Sequence, residues 1–70
     1  RAHMIEVQIN GVAQQLPVGT SLAELLARLH LQERRLAIEY NLEVVPRSEY
    51  AELRLQQGDR LEIVHAIGGG

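Results

Sequence analysis

The chain has 70 residues, enough for one domain with a single modest core and little room for an enclosed catalytic cleft. Hydrophobic residues make up 46% and Tyr40 and Tyr50 are the only aromatics, so a folded chain with an aliphatic core is expected. A formal net charge of -2 with no lysine gives no electrostatic reason to expect nucleic acid, and the lack of cysteine excludes disulfides, a cysteine nucleophile and a thiolate zinc site.

No apolar run reaches membrane-spanning length and no signal peptide is visible, so the expected location is the cytoplasm, without a membrane partner. Arg1-Ala2-His3 reads as an expression-tag remnant before Met4, and the expected domain is 4–70.

From Met4 to Asn10, Ile5, Val7 and Ile9 alternate with Glu6 and Gln8, the period-2 pattern of a half-buried strand. Asn10-Gly11 is a strong hairpin signal, because both residues tolerate positive φ. Val12 to Val18 should return antiparallel, with Pro17 suggesting a sheet edge. Ser21 and Glu24 have capping-box spacing. Leu22, Leu25, Leu26 and Leu29 then form one apolar stripe of a helix ending near His30.

A third strand is predicted over Leu36 to Asn41, with Ile38 and Tyr40 on one face. After a tight Asn41-Leu42-Glu43 connection, Glu43-Val44-Val45 reads as a short strand stopped by Pro46. Ser48 to Glu52 reads as a single helical turn, Gln57-Gly58-Asp59 as a turn, and Arg60 to Ala66 as the last strand. The order predicts an α+β fold: a mixed sheet of four or five strands with one main helix on one face, the other face left to solvent or a partner. The predicted core is Ile5, Val7, Ile9, Leu22, Leu25, Leu26, Leu29, Ile38, Leu61 and Ile63.

The chemistry points to the end of the chain. Gly68-Gly69-Gly70 follows a strong strand with no spacer. Its bland reading is a frayed terminus. Against that, residues without Cβ suit a narrow channel, and three extended residues reach roughly 10 Å from the domain. A free α-carboxylate is an anion at neutral pH and a poor electrophile. Activated as an acyl adenylate, it becomes open to a sulfur nucleophile, whose attack leaves a thiocarboxylate. If the chain handles sulfur, no side-chain thiol can hold it, which would leave the Gly70 carboxylate, and none of these steps requires a catalytic residue here.

The remaining polar residues are weaker signals. His30 suits a helix C-terminus, where a cation is mildly favoured, and His65 reads as a surface-strand residue; so sparse a set makes a metal site improbable. Glu6, Glu39 and Glu62 are expected on the face opposite the helix. There they are either ordinary surface charge or, beside Val64, Ala66 and Ile67, part of a docking face.

The chain resembles the ThiS family of sulfur carriers, within the β-grasp, ubiquitin-like superfamily. The resemblance rests on Asn10-Gly11, Thr20-Ser21-Leu22 with Leu25-Leu26, and Asn41-Leu42-Glu43-Val44-Val45-Pro46-Arg47-Ser48. It continues through Gly58-Asp59-Arg60-Leu61-Glu62-Ile63-Val64 to Ala66-Ile67-Gly68-Gly69-Gly70, covering Met4 to Gly70. It implies a β-grasp fold and a non-enzymatic carrier with no bound cofactor. An E1-like adenylating enzyme would use ATP to activate Gly70. Sulfur from cysteine, passed through a desulfurase, would form the thiocarboxylate, and thiazole synthase would consume it in thiamin biosynthesis. Gly69, and more loosely Gly68, are the tail motif. The alternatives are the small subunit of molybdopterin synthase, another ubiquitin-like carrier or modifier, and a passive β-grasp interaction module.

Overall fold

The computed structural model describes residues 3–32 and 34–65. Strand β1 (Met4–Ile9) alternates as predicted: Ile5, Val7 and Ile9 are buried while Met4, Glu6 and Gln8 face out. At Asn10 (φ 50°) and Gly11 (φ 83°) both turn residues take positive φ, which matches the hairpin's twist to that of its strands. Strand β2 (Val12–Pro17) returns antiparallel, Ile9 opposite Val12 and Met4 opposite Pro17.

Helix α1 (Leu22–Arg28) begins at a complete capping box, in which Ser21 Oγ accepts from the Glu24 N–H and Glu24 Oε1 accepts from the Ser21 N–H. The bond from the Ser21 backbone, aided by its hydroxyl and by Arg54, holds the Glu24 carboxyl below its ordinary pKa despite an opposing desolvation effect. The next orphan donors are met from outside the helix: Leu22 N–H donates to Leu53 O and Ala23 N–H to Tyr50 O, both at 2.9 Å.

The helix is shorter than the sequence suggests, because the chain leaves it through a Schellman motif. His30 N–H donates to Ala27 O and Leu31 N–H to Leu26 O, with His30 in the left-handed region at φ 60°. His30 is thus the turn residue beyond the helix. Leu29 caps the end half-buried, packed against the core and not inside it.

Strand β3 (Leu36–Tyr40) turns through Asn41 (φ 49°) and Leu42 (φ 76°) into the two-residue strand β4 (Glu43–Val44). Val45 lies just past β4, yet its N–H still donates to Ile38 O at 2.9 Å and its side chain is buried. A single 3-10 turn, Arg47–Glu49, replaces the turn predicted slightly later. Strand β5 (Arg60–His65) closes the sheet.

The strand order is β2-β1-β5-β3-β4, with β1 and β5 parallel and the other neighbours antiparallel. As Pro17 implied, β2 lies at an edge. The helix leucines Leu22, Leu25 and Leu26 pack on one face against Val7, Ile38, Leu61 and their neighbours. All predicted core positions except Leu29 are buried; Leu16, Val45, Tyr50 and Leu55 join them. Tyr50 and Leu55 are core because residues 50–55 strap the start of α1, where Leu55 N–H also bonds Thr20 O.

Candidate functional site

Strand β5 is the central strand of the sheet, and residues 66–70 follow it in the chain. Ala66, Ile67, Gly68, Gly69 and Gly70 lie outside the described residues. The site can therefore be built up to His65.

Two side-chain amides and one carboxylate hold β5. At its start, Asp59 is only 7% exposed. Its Oδ2 accepts from the Tyr40 hydroxyl at 2.6 Å and the Gln56 N–H at 2.7 Å, and its Oδ1 accepts from Asn41 Nδ2 at 3.2 Å. Asn41 Oδ1 in turn accepts from the Arg60 N–H at 2.9 Å. Partial burial and the Asp59 carboxylate push the Tyr40 phenol up to about 12. Further along, the Asn10 carboxamide bonds both main-chain groups of Ile63. Sequence reasoning used Asn10, Asn41 and Asp59 only as turn formers. Apart from the local Asp59 bond to the Gln56 N–H, their side-chain roles depend on contacts 18 to 53 residues apart, which no local pattern reports.

Of the predicted docking residues, the described ones, Glu6, Glu39, Glu62 and Val64, all point to the open face of the sheet, while Ala66 and Ile67 lie outside the described residues. Glu39 and Glu62 are direct cross-strand partners, and Ala37 stands opposite Val64. Val44 of β4 stands opposite Glu39 on its other side. All these side chains are exposed, Val44 to 71% and Val64 to 54%. Two carboxylates directly opposite each other repel. Among the described residues the one ion pair is Arg54–Glu24 at 3.7 Å on the surface, and no described cation is ion-paired with Glu39 or Glu62.

Glu6 does not join them. It shares their face, but its carbonyl accepts from the Gly58 N–H, and Gln8 pairs with Arg60. That register sets Glu6 four residues short of Glu62, about 13 Å along the strand at ~3.3 Å per residue. Alternation identifies the face a residue points to, but not how two distant strands slide against each other. The expected acidic group is therefore a pair.

His30 and His65 are exposed, as expected for surface residues. Among the described residues no three His, Asp or Glu side chains are grouped to hold a metal ion. Among the described residues no helix is long and apolar enough to cross a membrane. An open groove of about 420 Å³ lined by Pro17, Val18, Gly19, Thr20, Glu24 and Arg28 lies at the far end of the sheet from His65.

Comparison with known proteins agrees with this geometry. A model of the ThiS family matches residues 7–70. The chain belongs to the ThiS family. A sulfur carrier protein ThiS from Bacillus subtilis is 36% identical over 91% of this chain and 98% of its own length. The crystal structure of a thiamine biosynthesis protein (ThiS) from Geobacter metallireducens superposes with a TM-score of 0.82 at 25% identity, covering 94% of this chain and all of that one. The five-stranded mixed sheet with one helix is thus the ThiS β-grasp. A thiazole synthase from Paramagnetospirillum magneticum is 41% identical over 94% of this chain, which spans only 20% of that protein's length.

Proposed function

We propose that this ThiS-family chain is a sulfur carrier of thiamin biosynthesis and that Gly70 carries the sulfur. The observation that bears most weight is the family match, which runs from β1 through residue 70 and so includes the glycines after β5. The chemistry asks little of the carrier. An E1-like enzyme joins the Gly70 carboxylate to the AMP part of ATP and releases pyrophosphate. A sulfur nucleophile, supplied through a cysteine desulfurase, attacks the acyl carbon. AMP leaves, giving an acyl disulfide to the persulfide donor; a second thiol then attacks the donor sulfur, forms a disulfide with it and releases the thiocarboxylate. Thiazole synthase then takes that sulfur into the thiazole ring. ATP is consumed at the partner, so the carrier needs no bound cofactor and contributes no catalytic group.

Thiazole synthase as the acceptor is supported by the Paramagnetospirillum magneticum protein of that name, which holds a carrier-like segment within its own length. The same open face serves the activating enzyme in this reading. Val64 and Glu62 lie on the strand that leads to Ala66, Ile67 and the glycines, and Glu39 stands opposite Glu62 on the neighbouring β3. Exposed Val44 and Leu42 extend this surface at the β3–β4 hairpin. Burying the apolar residues supplies attraction, and the paired carboxylates favour a partner with a basic patch.

The test is mass spectrometry of the chain after incubation with the adenylating enzyme, ATP and sulfide. The expected product has one oxygen of the Gly70 carboxylate replaced by sulfur. A variant with one residue appended after Gly70 should give neither adenylate nor thiocarboxylate, and Gly69→Ala should react slowly. Modification on an internal side chain, or full reaction of the extended variant, refutes the assignment.

A further inference from the structure

Strand β1 ends at Ile9, but its partner β5 continues to His65. In the parallel ladder, Gln8 N–H donates to Asp59 O and Asn10 N–H donates to Leu61 O. The next rung would need a β1 carbonyl to accept from Ile63 N–H and a β1 amide to donate to Ile63 O. The hairpin at Asn10-Gly11 has already turned the main chain away. The Asn10 side chain fills both places: its Oδ1 accepts from the Ile63 N–H at 2.7 Å, and its Nδ2 donates to Ile63 O at 3.0 Å. Ile63 has no substitute on its other side. It stands opposite Ile38, whose carbonyl is turned toward Val45.

The residue type is specific to this task. A hairpin turn at φ 50° accepts Asn, Asp or Gly. Only the carboxamide offers a donor and an acceptor side by side, as a peptide rung does. Aspartate would place an oxygen against the Ile63 carbonyl, and glycine would leave both groups unpaired by the protein.

We infer that Asn10 is a positioning residue for the tail. It extends the β1 side of the sheet by one rung to Ile63, so the last residues of β5, which β3 pairs on the other side, are held on both edges just before residues 66–70 follow in the chain. This rests on the carrier reading above, because it concerns delivery of Gly70 to the activating enzyme. A strand end free to swing still docks through the open face but spends less time with its tail aligned in the partner, which lowers the rate at saturation more than the affinity.

The experiment compares Asn10→Gly, Asn10→Asp and Gln57→Ala with the natural chain. Gln57 is the control: from the turn before β5 its Oε1 accepts from the Glu6 N–H at 3.0 Å, a side-chain tie to β1 remote from Ile63. Hydrogen exchange of the free protein should show the Ile63 amide of Asn10→Gly exchanging roughly tenfold faster or more, the effect of two lost hydrogen bonds. The Val7 amide should stay protected. With the adenylating enzyme and ATP, kcat for Asn10→Gly should fall roughly threefold or more at nearly constant KM. Asn10→Asp should show a smaller fall, and Gln57→Ala none. Unchanged exchange at Ile63 overturns the clamp. Faster exchange with unchanged kcat, or an equal fall in Gln57→Ala, overturns the positioning role. If the natural chain is never adenylated, the carrier reading fails, the positioning role fails with it, and the exchange result still decides the clamp.

Discussion

Removing one hydroxyl, by Tyr40→Phe, tests whether the Asp59 node holds the start of β5. Asp59 is nearly buried and receives three donors: the Tyr40 hydroxyl, the Gln56 N–H and Asn41 Nδ2. The substitution leaves the ring and its packing but takes away the shortest of these bonds, at 2.6 Å. Hydrogen bonds to charged groups contribute about 1.5–3 kcal/mol. Partial exposure of Tyr40 favours the lower half of that range, so about 2 kcal/mol is expected at neutral pH. In a chain of this size that lowers Tm by roughly 8–16 °C.

The pH dependence has a definite sign. The phenol is raised from 10.0 to about 12 in the folded state, so its neutral form is the one that folding favours. Its contribution is complete below pH 10 and fades as pH rises toward 12. Urea unfolding of both chains from pH 7 upward should show curves well separated at neutral pH and converging across that window. The absence of lysine removes one common source of titration there. A Tyr40→Phe chain within about 0.5 kcal/mol of the natural one at pH 7 would contradict the reasoning, since that is the scale of a neutral surface change. So would a gap that stays constant through the window.

Other perturbations read other parts of the structure. Leu26, 3% exposed on the inner face of α1, should cost about 2–5 kcal/mol on truncation to alanine, measured by chemical denaturation; a loss below 1 kcal/mol would deny it a core role. His30→Gly should stabilise by roughly 0.5–1 kcal/mol, because relief of the left-handed Cβ penalty of about 1–2 kcal/mol outweighs the added glycine entropy of about 0.5–1; a lower Tm would contradict this. Glu62→Arg should slow adenylation mainly through the association rate, with the defect shrinking as salt rises; equal rates at low salt would remove the carboxylate pair from docking.

Much of the fold is written locally. The Asn10-Gly11 turn, the Ser21/Glu24 capping box, the leucine stripe and the alternation in β1 and β5 each depend on residues within a few positions of one another. Backbone sterics and burial periodicity therefore reveal them without a partner. The same locality explains why Tyr50 and Leu55 were missed: they lie in irregular chain, with no period to announce an inward face, and are buried only because that segment crosses the start of α1.

The candidate site divides in the same way. The glycines after β5 enter the proposed function from the sequence alone, where their signal is the absence of side chains. Which residues stand beside the tail strand is a matter of register. Gln8 opposite Arg60 separates Glu6 from Glu62, and Glu39 opposite Glu62 makes the acidic pair. The second use of Asn10, Asn41 and Asp59 also appears only in three dimensions. The sequence by itself determined that these residues would turn the chain. Only the tertiary structure decided what their side chains would hold, because a carboxamide or carboxylate takes its partners from whatever strand the fold brings within about 3 Å.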